Sequence, residues 1–260
     1  MLGAGLSAGL IAGLFGVGGG TVIVPALYYA FAVLGLGGEG NLHTAVGSSL
    51  AVIIATALRS VSAHRRHGAV DEAVLRAWTP WVALGALLGA ALAGLFSEGG
   101  LSLIYAAVVT LVAAQTGLGR ETWRLRSNLP TGGLRAAIGT VIGGLSALLG
   151  VGGGALGGML MTLCGRPIHQ AVATASGFGV AIGVPAALGF IIVGWGAEGR
   201  PPLSLGYVNV PSALVMALVT TATAPFGARL AHRLPRQVLR RLFAVFLVLT
   251  AGSIVLKAIT

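Results

Sequence analysis

The sequence predicts an all-α polytopic membrane protein made of two inverted repeats. Each repeat is a glycine-broken helical hairpin followed by three transmembrane helices. Three observations carry this prediction. The chain is 56% hydrophobic and only 8% charged, where a soluble domain carries about 25% charged residues. The run Gly16-Val17-Gly18-Gly19-Gly20 recurs unchanged as Gly150-Val151-Gly152-Gly153-Gly154. Arg-rich loops also alternate with loops nearly free of Lys and Arg.

The first repeat covers residues 1–119. Its hairpin, 1–36, holds the first glycine run, with about 14 residues before the break and about 16 after it, each shorter than the roughly 20 a span needs. Glycine has no Cβ and costs the most entropy to order, so the run disfavours continuous helix. Thr21 is placed to cap the second piece, and Pro25 to sit in its first turn. Spans follow at 43–63, 77–97 and 101–119. Gly85 and Gly89 give the second of these a small-residue packing face. The N-terminus lacks the basic region and cleavage pattern of a signal peptide, so Met1 onward reads as mature protein.

Residues 120–135 form a basic linker with Arg120, Arg124, Arg126 and Arg135. The second repeat, 136–260, has its hairpin at 136–164 and spans at 168–193, 206–228 and 242–258. The segments starting at His43 and His169 echo one another, and both repeats end in a turn and a final span.

Orientation follows from the basic loops, which belong on the cytoplasmic side. The hairpin at 1–36 then begins and ends outside, and the hairpin at 136–164 begins and ends inside. Three full spans per half make the repeats inverted, with a pseudo-two-fold axis in the membrane plane. Whether each hairpin is re-entrant or crosses twice does not alter this result. The linker at 120–135 is cytoplasmic, and the location implied is the inner (cytoplasmic) membrane, multi-pass.

Broken backbone survives in lipid only where protein buries it or it lines a cavity. Paired breaks in matching halves therefore point to a transporter's binding site. The half-helix after each run starts with N–H groups that lack intrahelical partners and carry positive dipole. Bare glycine lets an anion approach them. The candidate substrate-binding residues are Gly18, Gly19, Gly20, Thr21, Ser48, Ser49, Gly152, Gly153, Gly154, Thr174 and Ser176. His43 and His169, at matching span starts, are candidates for proton linkage. Asn209 and Gln115 lie in or beside spans, where helix–helix bonding competes with a site role.

Other classes find less support. The net charge of +10 would suggest nucleic acid in a soluble chain. Here topology places the basic residues, so no nucleic-acid partner is expected, and the positive potential favours anions. No Gly-Lys-Ser/Thr follows the glycine runs, so they are not P-loops. The six acids (Glu39, Asp71, Glu72, Glu98, Glu121 and Glu198) all fall near loops. No catalytic or metal-ligating constellation emerges, and neither enzyme activity nor a cofactor is expected. Cys164 is the single cysteine, which rules out an intrachain disulfide. The expected partners are a small anionic substrate and the lipid bilayer, with a homodimer through small-residue faces a further expectation. A passive anion channel and a non-transporting scaffold are the competing functions.

The chain resembles the sulfite exporter TauE/SafE family of membrane permeases along almost its whole length. The resemblance rests on Gly13-Leu14-Phe15-Gly16-Val17-Gly18-Gly19-Gly20 with Pro25, then Ala45-Val46-Gly47-Ser48-Ser49, then Gly68-Ala69-Val70-Asp71. In the second half it rests on Gly150–Gly154, Gly206-Tyr207-Val208-Asn209 and Gly227-Ala228-Arg229-Leu230-Ala231. It implies export of small sulfur oxyanions or organosulfonates, such as sulfite or sulfoacetate, and the expectation for this chain is that export runs by alternating access. The chain departs from the pattern at Gly157-Gly158-Met159, where a proline is expected, and at Ala173-Thr174-Ala175.

Overall fold

A computed structural model describes residues 20–36, 38, 40–118, 126, 128–231 and 236–259. Gly16–Gly19 and the arm before them lie outside these residues. In chain order the described helices are α1 (Gly20–Val33), α2 (Asn41–Arg66), α3 (Glu72–Ala93), α4 (Glu98–Leu118), α5 (Gly132–Leu149), α6 (Gly154–Leu163), α7 (Ile168–Val193), α8 (Val210–Ala231) and α9 (Arg236–Ile259). Among the described residues, five stretches are long and apolar enough to cross a membrane: Asn41–Arg66, Glu72–Ala93, Glu98–Gln115, Gly132–Leu149 and His169–Val193. The protein is an all-α polytopic membrane protein, as its composition predicts.

The core is the pair α2 and α7. Residues 41–50 of α2 are all buried, although His43, Thr44, Ser48 and Ser49 are among them. Glycines let the two helices meet closely. A Cβ on Gly183 would fall 2.9 Å from Ile54 Cγ1, and one on Gly179 2.7 Å from Ala57 Cβ. Gly47 faces Phe190. Partner numbers on α7 fall as those on α2 rise, so the two run antiparallel. Against α3 the order is the reverse. Gly177 meets Leu75 and Gly189 meets Ala90, so α3 and α7 are parallel.

α5 also lies parallel to α3. Gly139 meets Trp81, Gly143 meets Val82 and Gly89 meets Gly144. The predicted small-residue face of Gly85 and Gly89 is thus occupied within the chain: a Cβ on Gly85 would collide with the carbonyl of Thr140. The outer side of α3 carries Leu84, Leu87, Leu88 and Leu92, all exposed, which suits lipid contact.

α5 stops at Gly150, whose φ of 63° is left-handed and favours glycine. The chain turns through Val151–Gly153, and α6 then runs back. Gly153 and Gly157 both pack on Phe178 and Ala175, and Gly158 on Ala175 alone. Because α5 shares the direction of α3 and therefore of α7, the returning α6 is antiparallel to α7. The Arg126 N–H donates to Leu163 O, which brings the chain before α5 beside the end of α6. Residues 132–163 therefore leave on the side they enter. α1 packs on α2 with Gly20 against Ile53, and the short connection from Val33 to Asn41 returns the chain, so the two are antiparallel.

Element ends move where polar caps decide them. Asp71 Oδ1 accepts from the Val74 N–H at 3.1 Å, so α3 starts at Glu72, five residues before the predicted span. Thr21 is already inside α1, makes no capping bond, and leaves Pro25 beyond the first turn. The span predicted from 206 begins instead at Val210. It follows a short antiparallel hairpin, β1 (Ser204–Leu205) and β2 (Val208–Asn209), turned at Gly206 with φ 54°. Asn209 Oδ1 then accepts from the Ser212 N–H at 3.1 Å and caps α8.

Candidate functional site

The end of the first glycine run lies against the start of the second. A Cβ on Gly20 would be 2.5 Å from Gly150 O and 2.7 Å from Val151 Cα. This backbone contact admits no side chain. It brings the first turn of α1 beside the Gly150–Gly153 turn that starts α6. Ser49 fastens the turn to α2, donating its hydroxyl to Gly150 O at 2.8 Å.

The start of α6 has no side-chain cap. Its first N–H groups have no intrahelical acceptor, and Gly153 has no side chain to cap them. Beside it is a cavity of about 10 Å³, at the lower limit for one water. Thr21, Val109, Val112, Leu149, Val151 and Ala155 are among its lining residues. Thr21 is 3% exposed, and its hydroxyl has no hydrogen-bond partner among the described residues.

The other predicted hydroxyls are engaged. Ser48 Oγ accepts from the Asn209 N–H at 2.8 Å. Thr174 Oγ1 accepts from the Asp71 N–H at 2.9 Å, beside the Arg166–Asp71 pair at 3.5 Å. Ser176 donates back to Ala173 O at 2.7 Å. Gly152 and Gly153 are buried in the turn, Gly154 starts α6, and Gly18 and Gly19 lie outside the described residues.

The two histidines sit differently. His43 is 4% exposed. Its Nε2 lies 3.0 Å from Ala93 O, and its ring packs on Tyr207 with centroids 5.0 Å apart. His169 is exposed in the first turn of α7. Near His43, the Glu98 carboxylate accepts from the N–H groups of Gly40 (2.8 Å) and Leu42 (3.2 Å). It thereby caps α2 from the start of α4.

Sequence reasoning missed three groups. Ser146 Oγ, Ser102 Oγ and Tyr105 OH are buried with no partner among the described residues. Ser146 precedes the second glycine run by four residues, which was a usable signal. Ser102 and Tyr105 carry none, because an isolated polar residue in a span reads the same whether its hydroxyl is paired or free. Among the described residues no three His, Cys, Asp or Glu side chains gather closely enough to hold a metal ion.

The family model described as sulfite exporter TauE/SafE matches residues 1–254. The chain belongs to this family. A probable membrane transporter protein of Haemophilus influenzae is 30% identical over 253 residues, covering 97% of this chain and 96% of that protein. The probable membrane transporter protein YunE of Bacillus subtilis is 30% identical over 170 residues, 58% of this chain and 62% of its own length. One from Methanocaldococcus jannaschii is 24% identical over 246 residues, 91% of this chain and 87% of its own. No solved structure matches. This TauE/SafE protein is a multi-pass membrane transporter, and the relatives' names indicate a transporter rather than an enzyme.

Proposed function

We propose that this transporter exports a small sulfur-containing anion, such as sulfite, sulfoacetate or another organosulfonate, across the cytoplasmic membrane by alternating access. The observation that carries the reading is the Thr21 hydroxyl, without a partner among the described residues, beside the uncapped start of α6. A hydroxyl donor and free N–H groups at a positive dipole end suit a small oxyanion. The family description favours sulfur as its central atom.

Two features favour alternating access. α1 and α6 run in opposite directions, because each is antiparallel to one member of the antiparallel pair α2 and α7. This agrees with inverted repeats covering 1–119 and 136–260. The cavity, at about 10 Å³, is no larger than one water, so a sulfonate enters only if the repeats move apart.

The test is thermal unfolding of detergent-purified protein with sulfite, sulfoacetate and methanesulfonate, against chloride, sulfate, acetate and ammonium. Stabilisation by sulfite, sulfoacetate or methanesulfonate but not by the controls, together with uphill transport of that anion into vesicles, supports the proposal. Stabilisation by acetate or ammonium alone refutes the substrate class. Transport that only dissipates a gradient favours a passive channel.

A further inference from the structure

Ser102 and Tyr105 are both 0% exposed, and neither hydroxyl has a partner among the described residues. A buried tyrosine hydroxyl ordinarily finds one, since an unsatisfied polar group in an apolar interior is costly. Their places on α4 are informative. Glu98, Ser102, Tyr105, Val109 and Val112 follow steps of four, three, four and three, which keeps them on one helix face. Val109 and Val112 line the Thr21 cavity. Glu98, at the other end, caps α2. The face is about 21 Å long at 1.5 Å per residue. Leu103 and Leu111, elsewhere on α4, are 61% and 65% exposed.

The geometry points to a passage along this face of α4, from the Thr21 cavity to the membrane surface at the Glu98 end. Ser102 and Tyr105 form an intermediate subsite in it for the oxygens of a small oxyanion. Neutral hydroxyls suit that task, because each donates a hydrogen bond without holding the anion as tightly as a fixed cation would. In the closed form described here the passage is collapsed, and the two hydroxyls are left unmatched. When it opens they meet water or the anion. Only the identity of the anion rests on the function proposed above; the passage itself does not.

The experiment uses single cysteines in a Cys164→Ala background, which is otherwise free of cysteine. Ser97→Cys, Ser102→Cys, Leu103→Cys, Tyr105→Cys and Leu111→Cys proteins in nanodiscs are treated with 2-sulfonatoethyl methanethiosulfonate, itself a small sulfonate. Modification is followed by mass spectrometry. Positions 102 and 105 should react at least ten times faster than the lipid-facing 103 and 111, and sulfoacetate should slow them. Equal rates at all four, with exposed Ser97→Cys reacting readily, overturn the passage. Fast labelling that no sulfur anion slows leaves the passage standing and sinks the substrate class. A shape-preserving pair guards against misfolding. Ser102→Ala/Tyr105→Phe should melt no lower than wild type yet export sulfoacetate at least five times more slowly from vesicles. A wild-type export rate in that pair refutes the subsite.

Discussion

Replacing Thr21 with valine should move stability and affinity in opposite directions. The side chain is 3% exposed, and its hydroxyl is unpartnered among the described residues. Valine keeps the shape and exchanges the hydroxyl for a methyl group. A buried unsatisfied hydroxyl costs about 1–3 kcal/mol, so the unliganded variant should gain about 1 kcal/mol at the lower end of that range. Under the proposed function the same hydroxyl donates to a charged oxygen of the bound anion, a bond of about 1.5–3 kcal/mol. Its loss should weaken binding by about 10- to 150-fold. The assay is thermal unfolding of purified protein at rising sulfoacetate concentration, which reads the unliganded melting point and the apparent Kd together. A variant that melts lower and binds more weakly would reveal a packing residue. One that binds as well as wild type would remove Thr21 from the site.

Three further predictions concern the scaffold. Gly143→Ala places a methyl group against Val82 O and 2.8 Å from Ala86 N. It should force α5 from α3 at a cost of about 1–3 kcal/mol, read as a lower melting point, whereas Gly99→Ala, with nothing within 4 Å of its Cβ, should melt like wild type. Glu98→Gln removes the charge that receives the Gly40 and Leu42 N–H groups, and should cost about 0.5–2 kcal/mol of stability in the same assay. Arg166→Ala breaks a partly exposed ion pair and should cost under about 1 kcal/mol. Asp71→Ala also loses the α3 cap, so it should melt below Arg166→Ala by the equivalent of about 1 kcal/mol.

Much of the fold was legible because its causes are local. Apolar length placed the helices, α7 (Ile168–Val193) among them. Some ends moved with caps and turns. Asp71 was a visible capping residue, but the apolar stretch five residues later drew the boundary away from it. The strands at Ser204–Asn209 are two residues each, too short to show a period. The site was only partly legible. Thr21 was named as a cap and a candidate donor; it makes no cap, and its hydroxyl has no partner among the described residues. Ser48, Ser49, Thr174 and Ser176 have the same chemistry, yet each already serves a backbone group.

The amino-acid sequence by itself determined that this chain lies in a membrane and that its helix breaks at Gly150–Gly153. Hydropathy and the freedom of a glycine backbone act within a few residues. Only the tertiary structure decided which hydroxyls remain available. Ser49 is occupied because Gly150 O, 101 residues away, is brought to it. Ser102 and Tyr105 are open because no acceptor or donor among the described residues is. Pairing of a buried polar group depends on neighbours distant in sequence, and the order of residues along α4 carries no record of them.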